Sequence, residues 1–382
     1  MMPRLEYKDD KKSKQSIWLF LDQSLQLHKA PVLHSLCIKL GSQCPVDVEV
    51  GKWVAKAVDR FVRKLKFKLL WSADPISLPK SLYTCETLVK LKISDKVLTD
   101  FPSSPACLPS LKKLNLINVV YKDDASLIRF LSSCSVIEKL RVEREGNDNI
   151  KNFNVIVPSL HDLTYTDYND IYSYVGNSVR FLVIDTPAVK YIHLTNCSKQ
   201  YCLIKNMPCL DRAYISVHTY ADDKLPRSLS SVLFLELDLA DEMLLRCSAI
   251  NFSRLTELII CPDESDWLEP LMLLLGKSPK LKKLSVDYGP TENPEDLPLS
   301  WNEPSSVPGC LSSHLEIFEW VEKYGGRVEE LGFVTYILAN SKCLKRATIS
   351  LRSAFNLEQK QKVMKELDSI PRVSKSSQLL LK

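Results

Sequence analysis

Glycine is scarce in this chain, with 10 residues in 382. That scarcity removes a class of chemistry. Loops of the Gly-x-x-x-x-Gly-Lys and Gly-x-Gly-x-x-Gly types need glycine where backbone approaches a phosphate, and neither pattern occurs. The six histidines, at 28, 34, 161, 193, 218 and 314, are scattered, with no His-Glu-x-x-His arrangement and no local nucleophile motif. Asp222-Asp223 and Glu329-Glu330 are adjacent carboxylates that point to different sides of a strand or helix, so they read as solvated surface. The chain therefore reads as a non-enzyme with no cofactor and no metal set. Long apolar runs are also missing. The most lipophilic stretch, Leu271 to Leu275, is far too short to span a bilayer. Met1 to Lys14 is polar and lacks the apolar core of a signal peptide. The expectation is a cytoplasmic or nuclear protein with no membrane partner.

What is present in quantity is one phrase, Leu-x-x-Leu-x-Leu, recurring roughly every 26 residues. Clean copies start at Leu88, Leu111, Leu255 and Leu281. Looser ones start at Leu33, Val62, Ile137, Leu160, Val189, Leu210, Val232, Leu315 and Leu344. A period of this size predicts an α/β leucine-rich-repeat solenoid, each unit laying one short strand beside the last to form a curved parallel sheet. Such folds hold other macromolecules more often than they perform chemistry. The 12 cysteines include no Cys-x-x-Cys pair, which argues against a zinc ribbon or a redox site. Cys85, Cys107, Cys134, Cys209, Cys310 and Cys343 each lie one to five residues before a repeat strand, where a small buried residue of the turn is expected.

Around that frame the pattern predicts helices at Lys14–Gln26, Val48–Arg63, Asp123–Ser132 and Asp266–Leu275, with Asp123 or Asp124 as a cap. The middle returns look extended: Phe153–Val157, Arg180–Ile184 and Tyr201–Ile204 each lead into a proline. Residues 287–309 are polar and Pro-rich and read as a loop or boundary. Beyond it come a strand at Leu315–Trp320, a helix near Val328–Ala339, a strand at Leu344–Leu351, a helix at Leu357–Ile370 and a closing strand at Gln378–Leu381. The divisions are 1–60 for the N-terminal helices and first repeat, 61–300 for the repeats, and 301–382 for an atypical end unit.

The third, fifth and seventh residues of each repeat phrase face the concave side. Early strands there offer Lys64, Lys66, Lys68, Lys90, Lys92, Lys113, Lys139 and Arg141, eight basic residues without an acidic one. Middle strands offer Tyr191, His193, Arg212 and Tyr214, and later ones Phe234, Glu236, Asp238 and Glu257. A single lysine does no more than keep an exposed strand soluble and block edge pairing. The whole run points to a protein partner with an acidic surface, and Tyr or Arg in the centre suits hot spots. Nucleic acid is disfavoured, since the stripe lacks interleaved aromatics.

Several phrases are specific enough to carry a resemblance. Ser77-Leu-Pro-Lys-Ser-Leu-Tyr-Thr-Cys-Glu-Thr-Leu-Val-Lys-Leu91, Cys107-Leu-Pro-Ser-Leu-Lys-Lys-Leu114 and Leu131-Ser-Ser-Cys-Ser-Val-Ile-Glu-Lys-Leu140 resemble the plant F-box/leucine-rich-repeat proteins of the FBD class. Val307–Trp320, Tyr336–Ile349 and Lys365–Arg372 resemble the FBD domain itself. The resemblance implies a substrate adapter of an SCF-type ubiquitin ligase, in which an N-terminal F-box docks on a Skp1-like protein and the repeats hold the substrate. Here Met2–Tyr7 resembles the segment that follows an F-box, so the F-box itself is expected to be absent. No Skp1-contacting residue is carried over, and Skp1 binding is left open. The alternatives are a stand-alone repeat scaffold or competitor, and a truncated, decaying gene product. A co-receptor for a small ligand is a third, with no pocket to support it.

Overall fold

A computed structural model describes residues 4–9, 17–42, 49–70, 74–95, 97–101, 107–145, 149–168, 180–196, 200–205, 207–217, 224–239, 246–262, 266–291 and 293–382. The chain forms two compact units: Met1–Val189 with Asn196–Met207, and Lys190–Thr195 with Pro208–Lys382. Each is an α/β leucine-rich-repeat solenoid.

The first unit is built on parallel strands at Arg4–Lys8, Ser35–Leu40, Lys64–Leu69, Lys90–Asp95, Lys113–Ile117, Lys139–Glu145 and Asp162–Tyr168, each bonded to the next. Their burial alternates as the phrase requires: Leu65, Phe67 and Leu69 are inside while Lys66 is exposed. The strand Arg4–Lys8 was not predicted. Its charged residues hide the pattern, and only Tyr7 along it is buried. The predicted N-terminal helix runs Trp18–Leu27, with Lys14 to Ser16 outside the described residues. Helices also form at Val50–Val58 and at Asp124–Ser132, where the Asp123 carboxylate accepts from the Ser126 N–H at 2.6 Å. The extended returns pair in parallel as Asn152–Ile156, Arg180–Asp185 and Gln200–Ile204, a second small sheet opposite the first. β-Branched and aromatic content favoured strand there over helix.

The second unit repeats the plan with strands Tyr191–Asn196, Arg212–Val217, Phe234–Leu239, Glu257–Pro262, Lys283–Val286, Ile317–Tyr324, Arg346–Leu351 and Gln378–Leu381. Helices Leu268–Gly276, Gly309–Ser313, Val328–Asn340 and Leu357–Asp368 return the chain. Aromatic side chains fill the interior: Trp267, Tyr288, Trp320 and Phe333 meet edge to face at 5.3–6.5 Å.

Residues 287–309 are a loop, and one that is firmly packed. Lys323, held at φ 57°, donates its ammonium to the Gly289 and Thr291 carbonyls at 3.1 and 2.6 Å. Arg327 donates to the Leu297 carbonyl at 2.7 Å, and Trp301 lies edge-on to Phe333 and Tyr336. Charged stems that reach across to backbone carbonyls leave no periodic signal, so the sequence shows only a polar break.

The cysteine expectation needs correcting. Cys85, Cys134 and Cys310 are buried, but Cys107, Cys209 and Cys343 are exposed. The buried place in the turn is the residue three before the repeat leucine: Leu108, Cys134, Val157, Thr186, Leu229, Phe252, Ser278 and Ser341 are all at most 2% exposed. Each of their carbonyls accepts from the N–H of that leucine-position residue at 3.1–3.3 Å, closing a turn at the foot of these eight strands. Of these six, cysteine is buried where it falls in this register or, at Cys310, in a helix, and exposed at the other three; Cys37, Cys202 and Cys261 are buried in strands. Size rather than sulfur chemistry fits it to the site.

Candidate interaction surface

In the first unit, lateral register decides what the open face of the sheet presents. One row across the strands reads Arg4, Ser35, Lys64, Lys90, Lys113, Lys139, Asp162. The next reads Glu6, Cys37, Lys66, Lys92, Asn115, Arg141, Thr164. Four lysines thus stand directly opposite one another in the first row, about 4.8 Å apart strand to strand. Like charges so placed repel and weaken the sheet.

The eight basic residues are not an unbroken stripe. Lys139 is paired with Asp162 at 2.5 Å, Arg141 with Glu143 at 2.5 Å and Lys68 with Asp95 at 3.5 Å. What remains without an ion pair among the described residues is Lys64, Lys66, Lys90, Lys92 and Lys113. The pairing of the three acids with these residues escaped the sequence reading for separate reasons. Asp95 has φ 67°, so the strand's alternation ends at it and its carboxylate can turn toward Lys68. Glu143 holds the seventh place of the phrase at Ile137, so the early strands do carry one acid among their concave positions. Asp162 opens the following strand and meets Lys139 only through register. The Lys92 ammonium is held below the ordinary lysine range, first by burial and then by Lys66 beside it.

In the second unit the predicted residues Tyr191, His193, Arg212 and Tyr214 do come together. His193 stacks on Tyr214 at 5.5 Å with 12° between planes, and Tyr191 lies 5.3 Å from the same ring. Arg212 covers Phe234 at 4.1 Å, which leaves that ring 5% exposed. Phe234 was expected to face a partner and instead lies beneath the guanidinium. Farther along, the Lys283 ammonium sits between Glu257 at 3.3 Å and Glu319 at 3.0 Å, and Glu319 also takes Arg346 at 3.3 Å. Burial, then Asp287 and Asp238, pushes the Glu236 carboxyl up. Among the described residues no group of three His, Cys, Asp or Glu could hold a metal, and no helix is long and apolar enough to cross a membrane.

Comparison with known proteins agrees with this architecture. The family model for the leucine-rich repeats of an FBD-associated F-box protein matches residues 50–171, and the FBD model matches residues 303–349. An FBD-associated F-box protein of Arabidopsis thaliana, At1g05080, is 54% identical over all of this chain and 89% of its own length. Two F-box/FBD/LRR-repeat proteins of the same plant, At1g22000 and At3g49480, are 51% and 44% identical, over 100% and 98% of this chain and 83% and 86% of theirs.

The chain belongs to the F-box/FBD/LRR-repeat family.

Its FBD segment, residues 303–349, takes in the helix Val328–Asn340 and its flanking strands, and includes one fully buried carboxyl. Glu330 accepts the N–H groups of Gly325 and Arg327 at 3.0 and 3.1 Å, closing the turn in which Gly326 takes φ +69°. A Cβ at Gly326 would stand 3.1 Å from Val363, so backbone conformation and packing both select glycine there. Burial raises the Glu330 pKa against the pull of those two hydrogen bonds. Glu329-Glu330 had read as solvated surface; Glu330 is instead 0% exposed, because it serves as the helix's capping-box residue.

Proposed function

We propose that this chain is a non-catalytic protein-binding module, the substrate-recognition part of an SCF-type ubiquitin-ligase adapter, working in the cytoplasm or nucleus. In this reading residues 61–300 hold the substrate, residues 301–382 cap the array, and residues 1–60 lead into it. The lysine face of the first unit holds an acidic surface of the protein to be modified. The observation that carries the reading is the opposed register of Lys64, Lys90 and Lys113, with Lys66 against Lys92, and no ion pair for any of them among the described residues, the nearest acids being Glu6 toward Lys66 and Glu143 toward Lys92. A sheet shaped for stability alone alternates signs across neighbouring strands. An accumulation of one sign on an accessible face raises the local concentration of oppositely charged partners and speeds their encounter.

The relatives are named for an F-box, and the resemblance ties that module to a Skp1-like protein. Two measurements test the reading together. Calorimetry with a plant Skp1-like protein tests ligase membership, with association expected for an adapter. Capture from plant extract, read by quantitative mass spectrometry, compares the wild-type chain with the reversal K64E/K66E/K90E/K92E and with K360E/K362E on the helix Leu357–Asp368. A discrete set of proteins lost only with the first reversal is expected. An identical captured set for all three chains would sink the assignment of the surface.

A further inference from the structure

The uncompensated lysines occupy a bounded patch. They span three strands, with two alternate positions on the first two and one on the third, where Asn115 takes the second place, roughly 10 Å by 7 Å at ordinary sheet spacings. Most of its charged border is neutralised; Lys39, opposite Lys68, and Arg4, opposite Ser35, carry no ion pair among the described residues. Lys68 with Asp95, Lys139 with Asp162 and Arg141 with Glu143 close two sides, and on the third Ser35 and Cys37 stand opposite Lys64 and Lys66. Beyond Cys37, Glu6 is taken up by Lys8 at 2.6 Å. Lys66 and Lys90 are exposed, the other three half-buried.

We infer that this patch is a site for a phosphoryl group carried on a protein segment, a phosphoserine or phosphothreonine of the partner; this rests on the reading of the lysine face as the partner-binding surface. All five groups are lysine. A planar carboxylate is best matched by the fork of arginine, whereas ammonium groups act as point charges suited to a tetrahedral anion approached from several sides. The nearest arginine of the face, Arg141, is occupied by Glu143. Charge density points the same way. Carboxylates on one face of an extended peptide are about 7 Å apart, so one or two at most reach a patch of this size. One phosphate monoester brings about −1.5 to −2 charges and three acceptor oxygens to a single point. A nucleic acid fits worse, because beyond the patch Lys68, Lys139 and Arg141 are already taken by Asp95, Asp162 and Glu143 and are not free for a continuing phosphate chain. The neutral residues of the same rows, Ser35, Cys37 and Asn115, also supply no stacking ring.

The probe is a degenerate ten-residue peptide library with a fixed central phosphoserine, beside matched libraries with central serine or Glu-Glu, and a ten-nucleotide oligo-dT. Binding to the full chain is read by fluorescence anisotropy at physiological salt. The phosphoserine library is expected to bind at least about tenfold more tightly than the Glu-Glu library. K66Q/K92Q is expected to reduce it to the level of the serine library, and K360Q/K362Q to leave it unchanged. Thermal melting keeps a folding defect from passing as a result, since K66Q/K92Q is expected to melt at or above the wild type. Equal binding of the phosphoserine and Glu-Glu libraries overturns the inference, as does tighter binding of oligo-dT. The underlying reading fails separately. If a captured protein is lost on lysine reversal yet stays bound after phosphatase treatment, the partner surface stands and the phosphoryl group does not.

Discussion

The two units carry their unbalanced charge in opposite places. In the first, the buried charges Arg144 and Asp167 are joined through the Tyr165 hydroxyl at 3.0 and 3.5 Å, while on the sheet face Lys39 and the five clustered lysines lack an ion-pair partner among the described residues. In the second, the sheet face is largely matched: Lys283 bridges two glutamates, Arg346 joins one of them and Arg212 lies on a ring. The unmatched group there is inside, where Glu330 has one oxygen bonded to two backbone N–H groups and the other without a hydrogen-bond partner. The difference is one of access. A buried carboxyl can only organise its own chain, here the turn at Gly325–Arg327. Repulsion on an open face can be relieved by something from outside.

The interior charge of the second unit gives the largest expected effect. Glu330→Ala removes the acceptor of two N–H groups in a closed turn and leaves a cavity, so a loss of about 2–4 kcal/mol is expected in urea unfolding. A loss under about 0.5 kcal/mol would mean that water replaces the carboxylate and that the turn does not depend on it.

The same residue sets a pH dependence whose sign follows from its raised pKa. Folding favours the protonated acid, so this stabilisation is fully present below the unfolded value of 4.5 and is lost as pH rises through the higher folded value. Glu330→Gln keeps an acceptor for both N–H groups and cannot ionise. Its melting temperature should change less than that of the wild type between the unfolded carboxyl range and neutrality. Parallel curves for the two proteins would show that folding does not shift the Glu330 pKa.

A smaller effect is expected where the second unit's face is matched. Lys283→Ala leaves Glu257 without its ion-pair partner and Glu319 with Arg346 and the Ser285 hydroxyl, and a loss of about 1 kcal/mol is expected, discounted for partial exposure. An unchanged stability would make this network as dispensable as an ordinary surface pair.

Much of this architecture was legible because it is periodic. The spacing of Leu88, Leu111, Leu255 and Leu281 gave the parallel strands, and alternation gave their buried residues. The open-face candidates were legible as positions but not as charges. Whether Lys139 is free depends on Asp162, 23 residues away and opposite only through register. Whether Lys68 is free depends on a left-handed φ at Asp95. Sequence spacing carries the first coordinate of a solenoid, along the strand, far better than the second, across it. For the same reason Glu330 escaped notice: adjacent carboxylates look solvated until a turn five residues back folds over one of them.

The smallest expected effect is the most telling for the comparison. Lys92→Gln removes one member of the uncompensated group, flanked across the sheet by Lys66 and Asn115. Removing a charge from a matched face destabilises. Here the loss of like-charge repulsion should stabilise the strand Lys90–Asp95 by a few tenths of a kcal/mol, up to about 0.5. Hydrogen exchange of that strand's amides reads the gain locally, apart from the second unit. The gain should shrink as ionic strength rises, because salt already screens the wild-type repulsion. A gain that persists undiminished at high salt would assign the effect to desolvation of Lys92 alone, and the lysine face would then hold no stored repulsion for a partner to relieve.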